Sequence, residues 1–259
     1  MEKLKFIHRV SKGTRFNQIY IPKEMITQFE AGDLVEVTLL EKSTSLYSSP
    51  KLGKLSEFKI NLIKEIFSEL KKYKEIKQVF IIGSFLTQKH DFNDIDIIII
   101  SDKDIEKEVY KTLMDKFELK FHILIISENN FKTLQKFCPI HRSMLYYFIS
   151  DKKFSLPKDI ELNKDHIRFL LMMPEDLLNI NLNSRVFYDS IRRLLTIEKF
   201  LENISLDPLE INKEIKNLLG DSLATNLRQN GSIDKEIIKK LREVIKSKLN
   251  LINKLLDQK

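Results

Sequence analysis

Two aspartates one residue apart follow a glycine-serine pair at a spacing suited to metal-dependent phosphate chemistry. Ser84 precedes Asp94 by ten positions, and Asp96 lies two residues further on. Because side chains alternate across a β-strand, Asp94 and Asp96 point to one face while Ile95 enters the core on the other. Two carboxylates on one face can share a divalent ion, so we expect a metal site here.

The glycine-serine pair suits a phosphate group. Gly83 permits a tight turn and a close approach to the backbone, where amide groups and the Ser84 hydroxyl can donate hydrogen bonds. Asp94 and Asp96 would hold Mg²⁺, or Mn²⁺, bound to a nucleoside triphosphate. The expected reaction is in-line attack of an acceptor hydroxyl on the α-phosphorus.

An apolar residue with Gly83-Ser84, followed by Asp94-apolar-Asp96-apolar, resembles the signature of the nucleotidyltransferase superfamily, which includes DNA polymerase beta and the minimal nucleotidyltransferases. The resemblance covers about residues 55–150. It implies an α/β (α+β) nucleotidyltransferase core. It also implies catalytic and metal-binding roles for the aspartates, and nucleotide binding by Gly83 and Ser84.

Active members of that superfamily usually carry a third carboxylate on a later strand. Here the corresponding position holds His122, or Lys120 if the register slips, with Glu118 one step further out. His122 is a candidate base or metal ligand, and Glu118 is a second catalytic candidate. The alternative is a polar residue lining a degenerate site.

A second resemblance lies at the start of the chain. Residues 10–13, 19–25 and 31–37 supply a Gly turn, the run Ile21-Pro22-Lys23-Glu24, and a Gly-Asp pair before a final apolar stretch. This pattern resembles the SpoVT/AbrB family, which implies a swapped-hairpin β domain that dimerises and binds DNA. A piece of about 40 residues also has too little core to fold without a partner, so a homodimer is expected on both grounds.

Basic side chains cluster at the first turn of this module. Arg9, Lys12 and Arg15 are the candidates for contacts with DNA phosphates. The alternative is that they are solvated charges on a module used only for dimerisation.

The remaining chain divides by pattern. We predict a module over 1–42, a Ser-rich linker over 43–53, the nucleotidyltransferase domain over 54–152 and a helical domain, packed as a bundle, over 153–259. The predicted strands are 6–7, 19–21, 34–40, 79–82, 95–100 and 119–126. The predicted helices are a short one after Pro22 and longer ones at about 55–73, 105–117, 167–173, 186–201, 211–219 and 237–256, with Asp102 or Asp104 and Ser127 as N-caps and Pro174 as a helix boundary.

Composition narrows the classes of protein. The 259 residues carry 44 Lys and Arg against 37 Asp and Glu, a net charge of +7, which favours polyanionic partners. Cys138 is the only cysteine, so an internal disulfide and a Cys-based zinc cluster within one chain are excluded. No apolar run is long enough to cross a bilayer, and the first residues lack a secretory apolar core, so no membrane partner and a cytoplasmic location are expected.

Two functions remain open from the sequence. One is an enzyme that transfers a nucleotidyl group to a protein or RNA hydroxyl while its first module binds DNA. The other is a DNA-binding regulator, or an antitoxin with a toxin partner. Its nucleotidyltransferase fold would hold a partner or sense nucleotide without turnover.

Overall fold

A computed structural model describes residues 5–38, 45–87, 92, 94–180 and 182–259. The chain forms two compact units, residues 1–42 and 43–259. Asn93, the end of the predicted strand at 39–40 and the start of the predicted linker at 43–44 lie outside the described residues.

The N-terminal unit is a small hairpin with one helical turn. Strand β1 (Ser11–Lys12) pairs antiparallel with β2 (Asn17–Gln18), and a 3-10 helix spans Lys23–Gln28. None of the described residues from 5 to 38 is buried. Ten of the large apolar side chains between Ile7 and Val37 are at least 38% exposed.

The predicted strands at 6–7, 19–21 and 34–38 are not formed in this unit. A strand needs a neighbour that accepts and donates its backbone hydrogen bonds, and within the described part of the unit only the two short strands pair.

The second unit is built on a five-stranded sheet with the order β3-β7-β4-β5-β6. Its strands are β3 (Tyr47–Ser48), β4 (Gln78–Ile82), β5 (Ile95–Ile100), β6 (Phe121–Ile126) and β7 (Phe148–Ser150). Strands β5 and β6 are parallel, whereas the other three neighbouring pairs are antiparallel. The strands predicted at 79–82, 95–100 and 119–126 are therefore present within two residues of their expected bounds.

Strand β3 changes the interpretation of the predicted linker. Tyr47 pairs with Ser150 and Ser48 with Ile149, while Ser49 is buried and Leu46 packs against the core. Residues 46–49 therefore belong to the edge of the sheet rather than to a linker. The apolar Leu46 packs on the core while the β-prone Tyr47 joins the edge strand.

Helices cover both faces of the sheet. They are α1 (Glu57–Leu70), α2 (Glu106–Phe117), α3 (Glu128–Phe137) and α4 (Pro139–Met144). Helices α1 and α2 share one apolar core with Ile81 and Ile97, whereas Phe80, Ile98 and Phe131 lie in the core on the other face. Alternate residues of β4 and β5 thus serve the two cores.

The predicted N-caps have different outcomes. The Ser127 hydroxyl accepts a hydrogen bond from the Asn130 amide at the start of α3, as predicted. At α2 the N-cap is Ile105, which provides no side-chain cap. Asp104 stands one position earlier and accepts instead from the Glu106 amide.

Five further helices pack around a third core. They are α5 (Lys164–Asp176), α6 (Ser184–Leu201), α7 (Pro208–Leu219), α8 (Asp221–Arg228) and α9 (Lys235–Asp257). Helix α6 is central: 12 of its 18 residues are buried, and it contacts α4, α5, α7, α8 and α9. Cys138, between α3 and α4, is 6% exposed and packs in this core.

Two features of this helical region differ from the prediction. Helix α8 was not expected, and Pro174 lies inside α5 instead of ending it. Proline has no amide hydrogen, so the carbonyl of Leu170, four residues earlier, loses its helical donor. Arg193 of α6 donates to that carbonyl at 3.3 Å and so supports the helix across its proline.

Among the described residues, no helix combines the length and apolar character that a bilayer crossing requires.

Candidate functional site

The turn after β4 is built around Gly83. Its φ of 79° lies in the region that favours glycine, and a 3-10 turn over Ser84–Leu86 follows it. A Cβ atom at Gly83 would lie 2.1 Å from Oδ2 of Asp96. Glycine therefore allows the carboxylate to stand directly against the turn.

Strand β5 brings the aspartates to that turn. It runs antiparallel to β4, and its register places Asp96 opposite Ile82. Ile95 and Ile97 are 0% and 1% exposed, so the side chains of this strand alternate as predicted. The Asp94 and Asp96 side chains keep 24% and 35% of their surface exposed.

Strand β6 adds an imidazole to the pair. Its parallel register places His122 directly beside Asp96. The Nδ1 atom of His122 lies 3.3 Å from Oδ1 of Asp96 and 3.4 Å from Oδ2 of Asp94. One ligand atom from each of the three residues lies within 4.8 Å of the others. The sheet thus brings two acids and one histidine together beside the glycine-serine turn.

The surroundings of Asp96 disfavour its charged form. Burial and, secondly, the negative charge of Asp94 raise the pKa of Asp96 above its ordinary value, while His122 and the more distant Arg192 of α6 act against this rise. A cation bound between the acids would relieve both the repulsion and the loss of solvation. Two carboxylates and one imidazole also form a donor set that suits a divalent metal ion.

Comparison with known families agrees with this geometry. Residues 64–147 match the family model described as polymerase beta, nucleotidyltransferase. The match supports the nucleotidyltransferase superfamily. The matched segment includes Gly83, Ser84, Asp94, Asp96 and His122, and it supports a general nucleotidyl transfer activity. Neither the curated proteins nor the solved structures contain a significant match to the chain.

A buried lysine forms hydrogen bonds with the glycine-serine turn. Lys59 of α1 is 5% exposed, and its Nζ donates to the carbonyls of Phe85 and Thr87 at 2.8 Å each. The same ammonium lies 5.2 Å and 5.7 Å from the ring centroids of Phe85 and Phe92. Burial lowers its pKa from the ordinary lysine value.

Lys59 was not predicted from the sequence, because an apolar pattern favours burial of the neighbouring Phe58 over burial of a lysine. In the structure Phe58 is 64% exposed and Lys59 is buried. The available signal was spacing, since Lys59 follows Leu55 by four residues and precedes Leu62 by three, within the apolar stripe.

The other candidates on the route to β6 do not join the cluster. Glu118 is the exposed C-cap of α2, with a left-handed φ of 53°. Lys120 is exposed just before β6, and its carbonyl accepts a hydrogen bond from the Ile95 amide. Of the three residues considered for the third position, His122 is the one next to the aspartates.

The basic candidates of the N-terminal unit lie around its hairpin. Arg9 precedes β1, Lys12 lies in β1 and Arg15 lies in the connection to β2, and all three are exposed. They are accessible to a polyanion, and their contact with DNA stays a prediction.

Proposed function

We propose that this protein is a metal-dependent nucleotidyltransferase that moves a nucleotidyl group from a nucleoside triphosphate to a hydroxyl of a protein or an RNA. The observation that carries the proposal is the convergence of Asp94, Asp96 and His122 beside the Gly83-Ser84 turn. The family match over 64–147 points to the same class of reaction.

The residues divide the work by chemistry. The Ser84 hydroxyl and the backbone at Gly83 bind phosphate oxygens, and Asp94, Asp96 and His122 would hold Mg²⁺ or Mn²⁺. When bound, that ion supplies charge neutralisation to the triphosphate and to the departing pyrophosphate. The acceptor oxygen bonds to the α-phosphorus as the bond to pyrophosphate breaks, and the hydroxyl proton is released.

Arg192 adds a cation from the helical region. The positive charge of Arg192 acts on Asp96. In this proposal Arg192 contributes to the attraction of the triphosphate toward the turn.

Transfer of label tests the activity. Purified protein is incubated with cell extract and each α-labelled nucleoside triphosphate, and incorporation into protein and RNA is counted separately. Asp94→Asn/Asp96→Asn is expected to reduce incorporation at least about a hundredfold, because the charge stabilisation provided by the site is lost. Asp115→Asn, an exposed acid on α2, is the matched control. Label that persists in the double variant contradicts the assignment.

The N-terminal unit serves, in the same proposal, as a dimerisation and DNA-binding module. Its exposed apolar side chains and the absence of any buried residue within 5–38 support a second copy as the partner that completes its core. Arg9, Lys12 and Arg15 would contact DNA phosphates.

Gel shift of the promoter DNA upstream of the gene tests this module. Arg9→Ala/Arg15→Ala is expected to weaken binding by about tenfold or more and to reduce its salt dependence, since each phosphate contact releases counterions. Lys23→Ala, at the 3-10 helix of the same unit, is the control. Unchanged binding by the double variant would show that these arginines do not contact the DNA.

The second candidate function is a regulator or antitoxin that binds nucleotide, and a toxin partner, without turnover. The observation that favours it is the imidazole of His122 where the resemblance expects a third carboxylate. Binding of labelled triphosphate that depends on Asp94 and Asp96, with no incorporation into any acceptor, would select this function over the first.

A further inference from the structure

The third side chain of the metal cluster is a nitrogen donor, and this has a consequence for the choice of ion. A three-carboxylate site offers a hard cation only oxygen atoms and three negative charges. Here β6 supplies His122 in that place, so the donors are two carboxylates and one imidazole.

We propose that His122 ligates the metal through Nδ1 and makes the site prefer Mn²⁺ over Mg²⁺. The inference rests on the metal site of the proposed function and deepens it by naming the ion.

The distances fit such a role. Neighbouring ligands of an octahedral ion at about 2.1 Å lie about 3 Å apart. The Nδ1 atom of His122 is 3.3 Å from Oδ1 of Asp96 and 3.4 Å from Oδ2 of Asp94, a few tenths of an ångström from that spacing, and the ligand atoms of the three residues all lie within 4.8 Å of one another.

Backbone pairing holds the imidazole in place. Asp96 and His122 are register partners in the parallel pair of β5 and β6, and their neighbours Ile95 and Phe121 are also paired. Both of these neighbours are buried, at 0% and 2% exposure. A one-residue slip would put those apolar side chains in the site, so the register fixes His122 beside the acids.

Ligand chemistry then decides the ion. Mg²⁺ prefers oxygen ligands and keeps several waters, whereas imidazole nitrogen binds first-row transition ions more strongly. Mn²⁺ accepts both carboxylate and imidazole in octahedral geometry. Replacement of a carboxylate by a neutral imidazole also removes one negative charge, which weakens the hold on Mg²⁺ without a compensating bond.

Electron paramagnetic resonance of Mn²⁺ tests the preference directly, because free Mn²⁺ loses its sharp six-line signal when bound. Full-length protein is titrated with Mn²⁺ alone and with Mg²⁺ as competitor, in the absence of nucleotide. The ratio of the Mg²⁺ and Mn²⁺ dissociation constants is expected to fall at least about tenfold in His122→Asp. His122→Ala should lose Mn²⁺ affinity by more than it loses Mg²⁺ affinity.

Lys120→Ala, an exposed position on the approach to the same strand, is the matched control and should keep the wild-type ratio. An equal ratio in wild type and His122→Asp would overturn the inference, and so would Mn²⁺ binding that survives Asp94→Asn/Asp96→Asn. The readout does not depend on turnover. A selective Mn²⁺ site without label transfer would contradict the enzymatic proposal and leave this inference standing.

Discussion

Gly83 and Gly220 share a positive φ but have different surroundings. Their φ values are 79° and 84°, yet a Cβ at Gly83 would lie 2.1 Å from the Asp96 carboxylate, whereas no atom of the described residues lies within 4 Å of one at Gly220. Substitutions at the two positions therefore distinguish two effects. One is the loss of stability caused by a positive φ, and the other is the displacement of Asp96.

Gly83→Ala is therefore expected to weaken Mn²⁺ binding at least about tenfold, while Gly220→Ala leaves it unchanged. Both should lose roughly 1–2 kcal/mol of stability through the positive φ. Metal titration and urea unfolding of the two variants measure the two effects. Equal metal affinity in both variants would mean that Asp96 does not need its place against the turn.

His141 of α4 gives the fold a specific pH dependence. It is buried without a hydrogen-bond partner for Nε2 among the described residues, and burial lowers its pKa to about 4. The unfolded chain takes up this proton near pH 6.5, whereas the folded chain stays neutral until about pH 4. The free energy of unfolding therefore falls as the pH falls from about 6.5 to 4, by up to about 1.4 kcal/mol per pH unit.

His141→Leu is expected to remove this dependence. Between pH 7 and pH 5, wild type should lose about 2 kcal/mol more than the variant. Urea unfolding at the two pH values gives the difference, and parallel losses in both proteins would place the acid sensitivity elsewhere.

At the scale of elements, the turn after β4 depends on α1. Lys59 donates hydrogen bonds to two carbonyls of that turn, and these bonds hold the helix and the turn together. Carbonyls held toward the core restrict the conformations of the backbone that would meet a phosphate.

Lys59→Met, which keeps most of the buried volume, is expected to weaken nucleotide affinity about tenfold and to speed amide exchange at Phe85 to Thr87. Lys64→Met, half-buried on the same helix, is the control. Nucleotide titration and hydrogen exchange provide the readouts. Unaltered exchange at the turn in Lys59→Met would show that other contacts determine its shape.

An element can be predicted from the sequence when the residues within it carry a strong pattern. Strand β5 was predicted with its observed bounds because five of the six residues from Ile95 to Ile100 are isoleucine and all five are buried. The placement of the Asp94 and Asp96 side chains on one face follows from strand alternation alone. The candidacy of His122 came from the resemblance, which expects a third ligand on a later strand, and the parallel register of β5 and β6 is what places it beside Asp96.

Other elements carry too little local signal. Strands β3 and β7 have two and three residues, and their pairing is decided by the rest of the sheet. The continuation of α5 through Pro174 depends on a hydrogen bond from Arg193, nineteen residues further along the chain. The role of Lys59 likewise depends on carbonyls more than twenty residues away. Local patterns do not contain such partners.

At the scale of the whole molecule, the two units have contrasting interiors. Residues 43–259 contain three apolar cores, whereas no described residue of 5–38 is buried. A unit of that size gains too little from its own apolar surface to be stable by itself.

Removal of residues 1–42 is expected to convert a dimer into a monomer while Mn²⁺ binding at Asp94 and Asp96 stays within about twofold. The reason is that Asp94, Asp96, His122 and all three cores belong to the second unit. Light scattering coupled to gel filtration compares the two chain lengths over a range of concentrations. A full-length chain that is monomeric throughout would contradict the dimer.

The only thiol of the chain, that of Cys138, is a native probe of the opening of this molecule. It is enclosed where the sheet-covering helices meet the helical core, and burial raises the pKa of its thiol, so it stays protonated and shielded. A thiol reagent can label it only when that junction opens. The labelling rate of unmodified protein therefore reports how often the two halves of the second unit separate, with no engineered probe.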